Sequence, residues 1–333
     1  MSKYQPPFTI TSEILSLAVE IGELIGRVSS TTGLSASPIL RRTNRIRSVY
    51  SSLAIEQNTL SLDQVTAVLN GKRVIAPPKD IAEVKNAYEI YERLDELNPF
   101  DVDDLLKAHG VMVRGLADEP GQFRSGNVGV VNDEGRVLHF GTLPEYVPGL
   151  IYQLLDWVKS SATPMLIKSC VFHYEFEVIH PFGDGNGRIG RLWHTLLLSK
   201  WHPLFAWLPV ESIIHDRQAE YYDAINASNY EANSTTFITF MMEAIKAALL
   251  EAIETSSQPS GETVAVLPGS ENRWITVEAW LKEHGRIRNA DLQWLLGVST
   301  ATASRLLREW TAVGKIRRTR VGSYWTYELV KEE

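Results

Sequence analysis

The stretch that most constrains this chain runs from His180 to Arg191 and reads HPFGDGNGRIGR. Its proline disfavours helix in the residue before it, so the preceding helix should end near His180. Glycines at 183, 185 and 187 remove Cβ atoms, so that backbone N–H groups can turn towards a ligand. A helix should begin near Gly187, and helix N-termini favour anions. The stretch therefore predicts a phosphate-binding loop.

Four charged or titratable side chains accompany this loop. Arg188 and Arg191 are three residues apart and share one helix face, where two guanidinium groups suit a polyphosphate. Asp184 inside the loop would hold Mg²⁺ that bridges the phosphates. His180 at the loop entrance would accept a proton from an attacking hydroxyl. Together these groups predict a phosphate-centred group transfer.

The stretch also matches the pattern His-x-Phe-x-(Asp/Glu)-Gly-Asn-Gly-Arg-x-x-Arg at every defined position. It therefore resembles the Fic family, and the likeness extends from about Leu40 to Asn229. The resemblance implies a protein adenylyltransferase that moves AMP from ATP onto a hydroxyl of a target protein or of itself. It implies that His180 is the catalytic base and that Asp184 binds Mg²⁺.

The resemblance also assigns the nucleotide site. Glycine at 187 favours AMP transfer, because a family branch with lysine there binds the nucleotide reversed and transfers phosphate. Tyr222 and Asn229 resemble the segment that lines the adenine pocket, although Tyr222 as a packing residue is an equal alternative. The residues implied in nucleotide binding are Gly185, Asn186, Gly187, Arg188, Arg191, Tyr222 and Asn229.

A second motif concerns regulation. The segment Ser51–Asn58 resembles the family's inhibitory signature, (Ser/Thr)-x-x-x-Glu-(Gly/Asn), with Ser52 and Glu56 on one helical face. In the family this glutamate pairs with the second motif arginine, here Arg191. Gln57 departs from the usual Gly or Asn. A solvated surface role for Glu56 is the alternative, and whether Glu56 also supports AMP removal is left open.

A short β-hairpin is predicted at 127–140, because β-branched residues flank Asp133-Glu134-Gly135. Together with the preceding Pro120–Arg124, it resembles the family's flap, which aligns an extended target peptide by backbone pairing. His139 on the hairpin is assigned a shaping role. The sequence thus predicts where a protein substrate docks.

Apolar periodicity predicts a mainly α protein. The resemblance makes it a Fic-type helical bundle with a short β-hairpin flap, followed by a small α/β winged-helix domain. The predicted helices cover about 36–60, 80–96, 101–115, 144–160, 165–180, 187–200, 216–229 and 234–254. The predicted domains are an N-terminal helical region with the inhibitory helix (1–95), a Fic core (96–254), a linker (255–270) and a winged helix-turn-helix domain (271–333).

The winged-helix prediction rests on the order of elements after the linker. Residues 275–284, 289–296 and 300–313 suit three helices, and 315–320 and 324–329 suit a hairpin. Residues 271–333 hold 11 Lys and Arg against 8 Asp and Glu, whereas the whole chain has a net charge of −7. Binding to DNA, through Arg305, Arg308 and the arginines of the hairpin, and binding to protein are equal alternatives. A DNA-binding regulator with a nucleotide-sensing Fic core is the second functional hypothesis.

Several classes are excluded or disfavoured by composition. The single cysteine, Cys170, permits no intrachain disulfide and no cysteine-based zinc site. No apolar run is long enough for a membrane span, and no secretory signal is predicted, so a cytoplasmic location is expected. His173, Glu177 and His180 share a helical face, but a metal site there is disfavoured against a supporting role. A homodimer is left open.

Overall fold

In a computed structural model of the chain, the described residues are 4–31, 37–131, 137–257, 274, 277–278, 280–282, 284–296, 300–321 and 324–330. The chain divides into two compact units, Met1–Ser35 with Thr43–Ser256, and Ala36–Arg42 with Ser257–Glu333. The domain boundaries predicted from sequence stay predictions, and helix α11 runs past residue 254 into the predicted linker.

The larger unit consists mainly of helices. Eleven α-helices are described up to residue 257: α1 Ser12–Thr31, α2 Pro38–Ile55, α3 Leu62–Leu69, α4 Pro78–Glu92, α5 Val102–Met112, α6 Val147–Ser160, α7 Met165–Ile179, α8 Asn186–Trp201, α9 Val210–Asp216, α10 Gln218–Glu231 and α11 Thr235–Ser257. Short 3-10 turns lie at Leu94–Glu96, Pro144–Tyr146 and Pro203–Ala206. Three of the α-helices, α1, α3 and α9, had not been predicted.

Local sequence explains several helix boundaries. Ser61 caps α3 in a reciprocal capping box with Gln64. Asp101 caps α5 by accepting the backbone N–H of Asp103. Prolines at the starts of α4 and α6 occupy first-turn positions that need no hydrogen-bonded N–H.

Helix α7 lies at the centre of this unit. Nearly all of its residues are buried, from Leu166 to Phe176, which is the pattern of a helix that neighbours surround on every side. It packs against α6 and, most extensively, against α8. The loop 180–185 joins α7 to α8, so the helix pair with the most extensive contact holds both ends of the predicted phosphate loop.

A two-stranded antiparallel sheet lies between α5 and α6 in the chain. Strands β1 (Gly129–Val131) and β2 (Val137–Phe140) pair Gly129 with Phe140 and Val131 with Val137, with a register irregularity after Val130. The predicted turn at 133–135 lies outside the described residues. The sheet confirms that a short hairpin interrupts the helical pattern.

The smaller unit also has its own core. Its described helices are α12 Asn289–Leu296 and α13 Thr300–Ala312, preceded by helical residues between 274 and 284. Strands β3 (Ile316–Val321) and β4 (Tyr324–Leu329) pair antiparallel, and Ile287 bridges to Tyr327. A cluster around Leu281, Leu292, Leu306 and Trp310 forms the core. The mainly helical fold with a small C-terminal α/β unit is therefore as predicted. Within the described part of the chain, no helix has both the length and the apolarity to span a membrane.

Candidate active site

The loop between α7 and α8 has a left-handed backbone conformation at each of its two ends. His180 ends α7 in the left-handed region, with φ 51°, and Gly185 precedes α8 with φ 84°. A left-handed conformation is uncommon for a residue other than glycine and is a feature of strained functional sites. The side-chain amide of Asn186 accepts the N–H of Phe182 and donates to its carbonyl. Asn186 therefore fixes the shape of the loop.

Arg124 fixes the position of His180 from outside the loop. Its guanidinium donates to the carbonyls of His180 (2.7 Å) and Gly126 (2.8 Å) and also to that of Thr142. Its backbone N–H donates to the carbonyl of Pro181. Because Gly126 and Thr142 flank the hairpin, one buried arginine joins the base of the hairpin to the residue predicted to be catalytic. Burial lowers the pKa of His180, which favours the neutral imidazole that a base requires.

His109 supports the loop at Asp184. Its Nε2 lies 3.0 Å from the carbonyl of Asp184, and its Nδ1 accepts the N–H of Gly121 at 3.0 Å, so Nε2 carries the proton. Its ring stacks on Phe182, with 3.7 Å between centroids. Burial lowers the pKa of His109 to about 4, so it stays neutral at physiological pH. His109 therefore holds the loop through the backbone carbonyl of Asp184.

Arg188 is held by two carboxylates. Its Nη2 donates to Oδ1 of Asp184 at 2.7 Å and its Nη1 to Oε1 of Glu83 at 3.2 Å. Its Nε is buried and has no hydrogen-bond acceptor among the described residues. Burial acts to raise the pKa of Asp184, but the charge and hydrogen bond of Arg188 outweigh it, so the carboxyl is ionised well below neutral pH.

Arg191 is fully buried and binds the C-terminal end of α2. Its Nε donates to Oγ of Ser52 at 3.1 Å, and its Nη2 donates to the Ser52 carbonyl and to Oε1 of Glu56, the latter at 2.7 Å. Burial alone would lower the pKa of Arg191, but the Glu56 carboxylate raises it above its ordinary value. The ion pair implied by the resemblance is present.

The carboxylate of Glu56 lies over the first turn of α8. A Cβ added to Gly187 would come within 2.3 Å of Glu56 Oε1 and 3.0 Å of Arg191 Nη1. Glycine at 187 thus leaves the space that this carboxylate occupies. The N-terminal end of a helix attracts anions, and here an anion of the chain itself lies against it.

The turn after Glu56 shows why Gly or Asn is usual at position 57. Helix α2 ends in a Schellman motif, in which the N–H of Asn58 donates to the Leu53 carbonyl and that of Gln57 to the Ala54 carbonyl. Gln57 has φ 65°, a conformation that favours Gly or Asn. The glutamine therefore has the backbone conformation that Gly or Asn adopts readily.

The side chains predicted at the adenine pocket lie on α10. Tyr222 is 43% exposed, which disfavours a packing role, and it neighbours the buried Tyr221. Asn229 is exposed and its Oδ1 accepts from the Tyr174 hydroxyl at 2.9 Å. They are seven positions apart, so both lie on one side of the helix. Their contact with a base stays a prediction.

Asp184 is the side chain of the loop suited to a cation. It is half-exposed and ionised, and a single carboxylate together with phosphate oxygens and water is the donor set that Mg²⁺ prefers. Among the described residues, no group of three or more His, Cys, Asp or Glu side chains is arranged to hold a metal ion. The residues thus fit a magnesium ion bound jointly with a nucleotide.

The buried His173 and the largely buried Glu177 lie next to each other on α7. His173 Nε2 lies 3.1 Å from the Tyr221 hydroxyl and 3.9 Å from Glu177 Oε1. Burial raises the pKa of Glu177 to about 7, an effect that Arg191 opposes and Glu56 reinforces. Burial lowers the pKa of His173 well below its ordinary value.

The site therefore gathers the predicted residues of the loop with Ser52 and Glu56. Four further residues were not predicted: Asn58, Glu83, His109 and Arg124. Asn58 and Arg124 lie in the segments that resemble the inhibitory signature and the approach to the flap. Glu83 and His109 lie in no local motif, because their partners are distant in the chain.

Fold and site together define a helical protein in which a glycine-containing loop leads into a helix start covered by a carboxylate, with two buried arginines and an adjacent histidine. Residues 99–198 match the Fic/DOC family. A crystal structure of a Fic family protein from Desulfovibrio desulfuricans is 42% identical, covers 99% of both chains and superposes with a TM-score of 0.74. The chain belongs to the Fic family.

Curated relatives match over shorter regions. The protein adenylyltransferase fic-1 of Caenorhabditis elegans is 32% identical over 63% of this chain and 42% of its own. A probable protein adenylyltransferase of Aquifex aeolicus is 30% identical over 42% of this chain and 43% of its own. The chain thus spans less than half the length of these two relatives.

Proposed function

We propose that this protein is an autoinhibited protein adenylyltransferase that transfers AMP from ATP to a hydroxyl of a protein. The names of the two curated relatives support the reaction class. The observation that carries the proposal is the Glu56–Arg191 pair above Gly187, because a carboxylate there occupies the position that suits a terminal phosphate.

The proposed reaction uses groups that the loop brings together. The first turn of α8, with Gly185, Asn186 and Gly187, would bind the phosphates through backbone N–H groups, and Arg188 and Arg191 would neutralise them. Asp184 would hold Mg²⁺, which when bound neutralises phosphate charge. The target hydroxyl oxygen would bond to the α-phosphorus, the bond from that phosphorus to the bridging oxygen would break, and pyrophosphate would leave. His180 would take the hydroxyl proton.

Glu56 would restrain this reaction. With Glu56 on Arg191, the guanidinium is already neutralised and the space above Gly187 is filled. A γ-phosphate would have to displace the carboxylate, so nucleotide would bind in a poor geometry. The same carboxylate could orient a water molecule for AMP removal, and both directions stay open.

Target proteins would dock on the hairpin at 127–140. Its two strands pair with each other, so each leaves one backbone edge to which an extended peptide can add. Arg124 links the start of this hairpin at Gly126 to His180, which would bring a docked hydroxyl towards the His180 imidazole. Modification of the protein itself by the same route is part of the proposal. Adenine would lie near Tyr222 and Asn229.

The experiment is incorporation of α-labelled ATP into protein with Mg²⁺, with and without cell extract. Wild type, Glu56→Gly, and Glu56→Gly with His180→Ala are compared. Label that rises strongly in Glu56→Gly and disappears with His180→Ala is expected. Absence of label in Glu56→Gly would reject AMP transfer, and equal label in wild type and Glu56→Gly would reject autoinhibition.

A second function, binding to duplex DNA, is favoured by one surface of the smaller unit. Arg318 and Arg320 on β3 lie 3.8 Å and 5.7 Å from the ring of Trp325, which is 47% exposed. Neither arginine has a carboxylate within 4 Å among the described residues, whereas Arg317 pairs with Glu328. Stacking holds guanidinium groups in place for phosphate contact.

Fluorescence anisotropy with duplex oligonucleotides at several salt concentrations tests this second function. A variant with Arg318→Ala and Arg320→Ala loses two phosphate contacts. The slope of the logarithm of the binding constant against the logarithm of the salt concentration should therefore become less steep by about two. The variant Arg317→Ala, in the same strand but already paired, is the control. No binding by wild type at low salt would reject the function. Three sequence-based predictions are independent of which function holds and stay predictions: the domain limits, a homodimer and a cytoplasmic location.

A further inference from the structure

Glu83 on α4 joins two parts of the site that are distant in the chain. Its Oε2 accepts a 2.8 Å hydrogen bond from Nδ2 of Asn58, and its Oε1 accepts a 3.2 Å hydrogen bond from Nη1 of Arg188. Asn58 is two residues after Glu56, and Arg188 is the first arginine of the phosphate loop. One carboxylate therefore contacts both the turn that carries the inhibitory glutamate and the nucleotide site.

This carboxylate is buried, with 7% of the residue exposed. A buried carboxylate is costly unless it is paired and hydrogen-bonded. The other cation near it is Lys79, whose Nζ is 3.9 Å away and whose side chain is mostly exposed. Arg188 and Asn58 are thus the principal groups that compensate for burying Glu83. A loss of either contact leaves the carboxylate poorly satisfied, so each contact depends on the other.

At the Asn58 end, the contact sets the position of the inhibitory turn. Asn58 also donates to the Asp80 carbonyl, and its Oδ1 accepts the N–H of Leu60. Helix α2 ends at Ile55, so the residues from Glu56 onwards take their position from the turn as well as from the helix. By holding Asn58 against α4, Glu83 helps to hold Glu56 above Gly187.

At the Arg188 end, the contact sets how the arginine meets a phosphate. Arg188 has carboxylates on both Nη1 and Nη2, and its buried Nε has no acceptor among the described residues. A phosphate arriving at this arginine would compete with at least one carboxylate. A phosphate that displaces Glu83 from Arg188 leaves without its principal cation one of the two acceptors of the Asn58 amide, which are Glu83 and the Asp80 carbonyl.

We propose that Glu83 is a positioning residue that couples the inhibitory turn to the phosphate loop, an inference that rests on the proposed transferase function. The pairs Glu56–Arg191 and Glu83–Arg188 stabilise one another through Asn58. Nucleotide that engages Arg188 thereby loosens Glu56, and a closed Glu56 turn weakens nucleotide binding at Arg188. The two motif arginines are thus restrained as one unit.

The test uses Asn58→Asp in the full chain. This change keeps the side-chain size and the acceptor for Leu60, but it replaces the nitrogen that donates to Glu83 and to the Asp80 carbonyl with a repelling oxygen. We expect ATP affinity and basal AMP transfer to rise about fivefold or more, the scale of an ordinary coupling between sites. Neither quantity should change when Asn58→Asp is added to Glu56→Gly, because the restraint is then already absent.

Asp80→Asn is the matched control. Asp80 is as buried as Glu83 and accepts from Thr59 in the same turn, but none of its hydrogen bonds reaches Arg188. We expect less than about a twofold change in either readout. If Asp80→Asn activates as much as Asn58→Asp, the turn is merely loosened and the coupling is rejected. Asn58→Asp that folds, judged by thermal unfolding, and behaves as wild type in both readouts would also reject it.

A further variant examines the Arg188 end. In the Glu56→Gly background, Glu83→Gln should lower the KM for ATP about fivefold or more with little change in kcat, because a charged group that competes with phosphate for Arg188 is lost. An unchanged KM would overturn the positioning role. ATP affinity, measured by calorimetry without turnover, reports on the coupling alone. If Glu56→Gly fails to transfer AMP, the proposed function is rejected. The calorimetric ATP affinities would then still decide whether Glu83 couples the two parts of the site.

Discussion

Nη2 of Arg191 donates a 2.7 Å hydrogen bond to Oε1 of Glu56, although 135 positions separate the two residues in the chain. The arginine is fully buried, whereas the glutamate is about one-third exposed. The pair therefore connects the buried start of α8 with a turn that solvent reaches. Such a contact can be exchanged for another anion without unfolding either helix.

Gly187→Ala should displace this carboxylate. The added methyl would come within 2.3 Å of Glu56 Oε1, so the ion pair must open, and the free energy of unfolding should fall by about 1 kcal/mol. In the Glu56→Gly background the same change should raise it by about 0.5–1 kcal/mol, because alanine favours helix over glycine. Urea unfolding of wild type, Gly187→Ala, Glu56→Gly and the double variant measures both changes in the free energy of unfolding. Equal effects in the two backgrounds would contradict the proposed steric contact.

Gln57→Gly should stabilise the protein. Gln57 adopts φ 65° at the end of α2, and a residue with a Cβ pays about 1–2 kcal/mol in that region. Glycine removes this strain but is more flexible in the unfolded chain, so a net gain of about 1 kcal/mol is expected. Gln57→Ala retains the strain and is the control. A glycine variant no more stable than the alanine variant would show that the turn is relaxed in solution.

The sequence grouped the residues of the predicted phosphate loop better than the residues that surround it. This loop has its own local signature, so the grouping of His180, Arg188 and Arg191 followed from their spacing, and their roles stay predictions. Glu83 and His109 contact the loop across 105 and 75 positions, respectively. No local pattern encodes such contacts, because they arise only when α4 and α5 pack beside α8.

The helices show the same distinction. Helix α1 was not predicted, although its buried residues Ile14, Leu17, Ile21 and Val28 repeat at helical spacing. Helices α3 and α9 have eight and seven residues, too few to establish a period. The ion pair of Glu56 was inferred by resemblance, and its steric basis at Gly187 required coordinates.

The largely buried acid Glu177 should make stability depend on pH. Its pKa is raised to about 7, so between about pH 4.5 and 7 the folded state holds a proton that the unfolded state has lost. The free energy of unfolding should therefore fall as pH rises through this window, by at most about 3 kcal/mol from this group.

Glu177→Gln should remove this contribution. His109 acts with the opposite sign, because its lowered pKa makes stability rise with pH between about 4 and 6.5. The difference between wild type and Glu177→Gln isolates the glutamate, and Glu220→Gln, an exposed change, is the control. Parallel stability curves for wild type and Glu177→Gln across this window would show that Glu177 has an ordinary pKa.

Arg124→Lys should impair catalysis without impairing nucleotide binding. The guanidinium of Arg124 reaches the carbonyls of His180, Gly126 and Thr142 at once, and a lysine ammonium cannot reproduce that planar fork. His180 would lose its fixed position relative to the hairpin, and misplacement of a catalytic group by about 1 Å costs roughly 10²-fold in rate.

The measurement is AMP transfer and ATP affinity in the Glu56→Gly background, where inhibition does not mask the effect. Transfer should fall at least tenfold, while ATP affinity should stay within about twofold, because Arg124 contacts neither Arg188 nor Arg191 in any described hydrogen bond. Arg114→Lys, an exposed arginine paired with Glu89, is the matched control and should transfer AMP normally. Equal losses of affinity and transfer would mean that Arg124 stabilises the whole loop and does not specifically position His180.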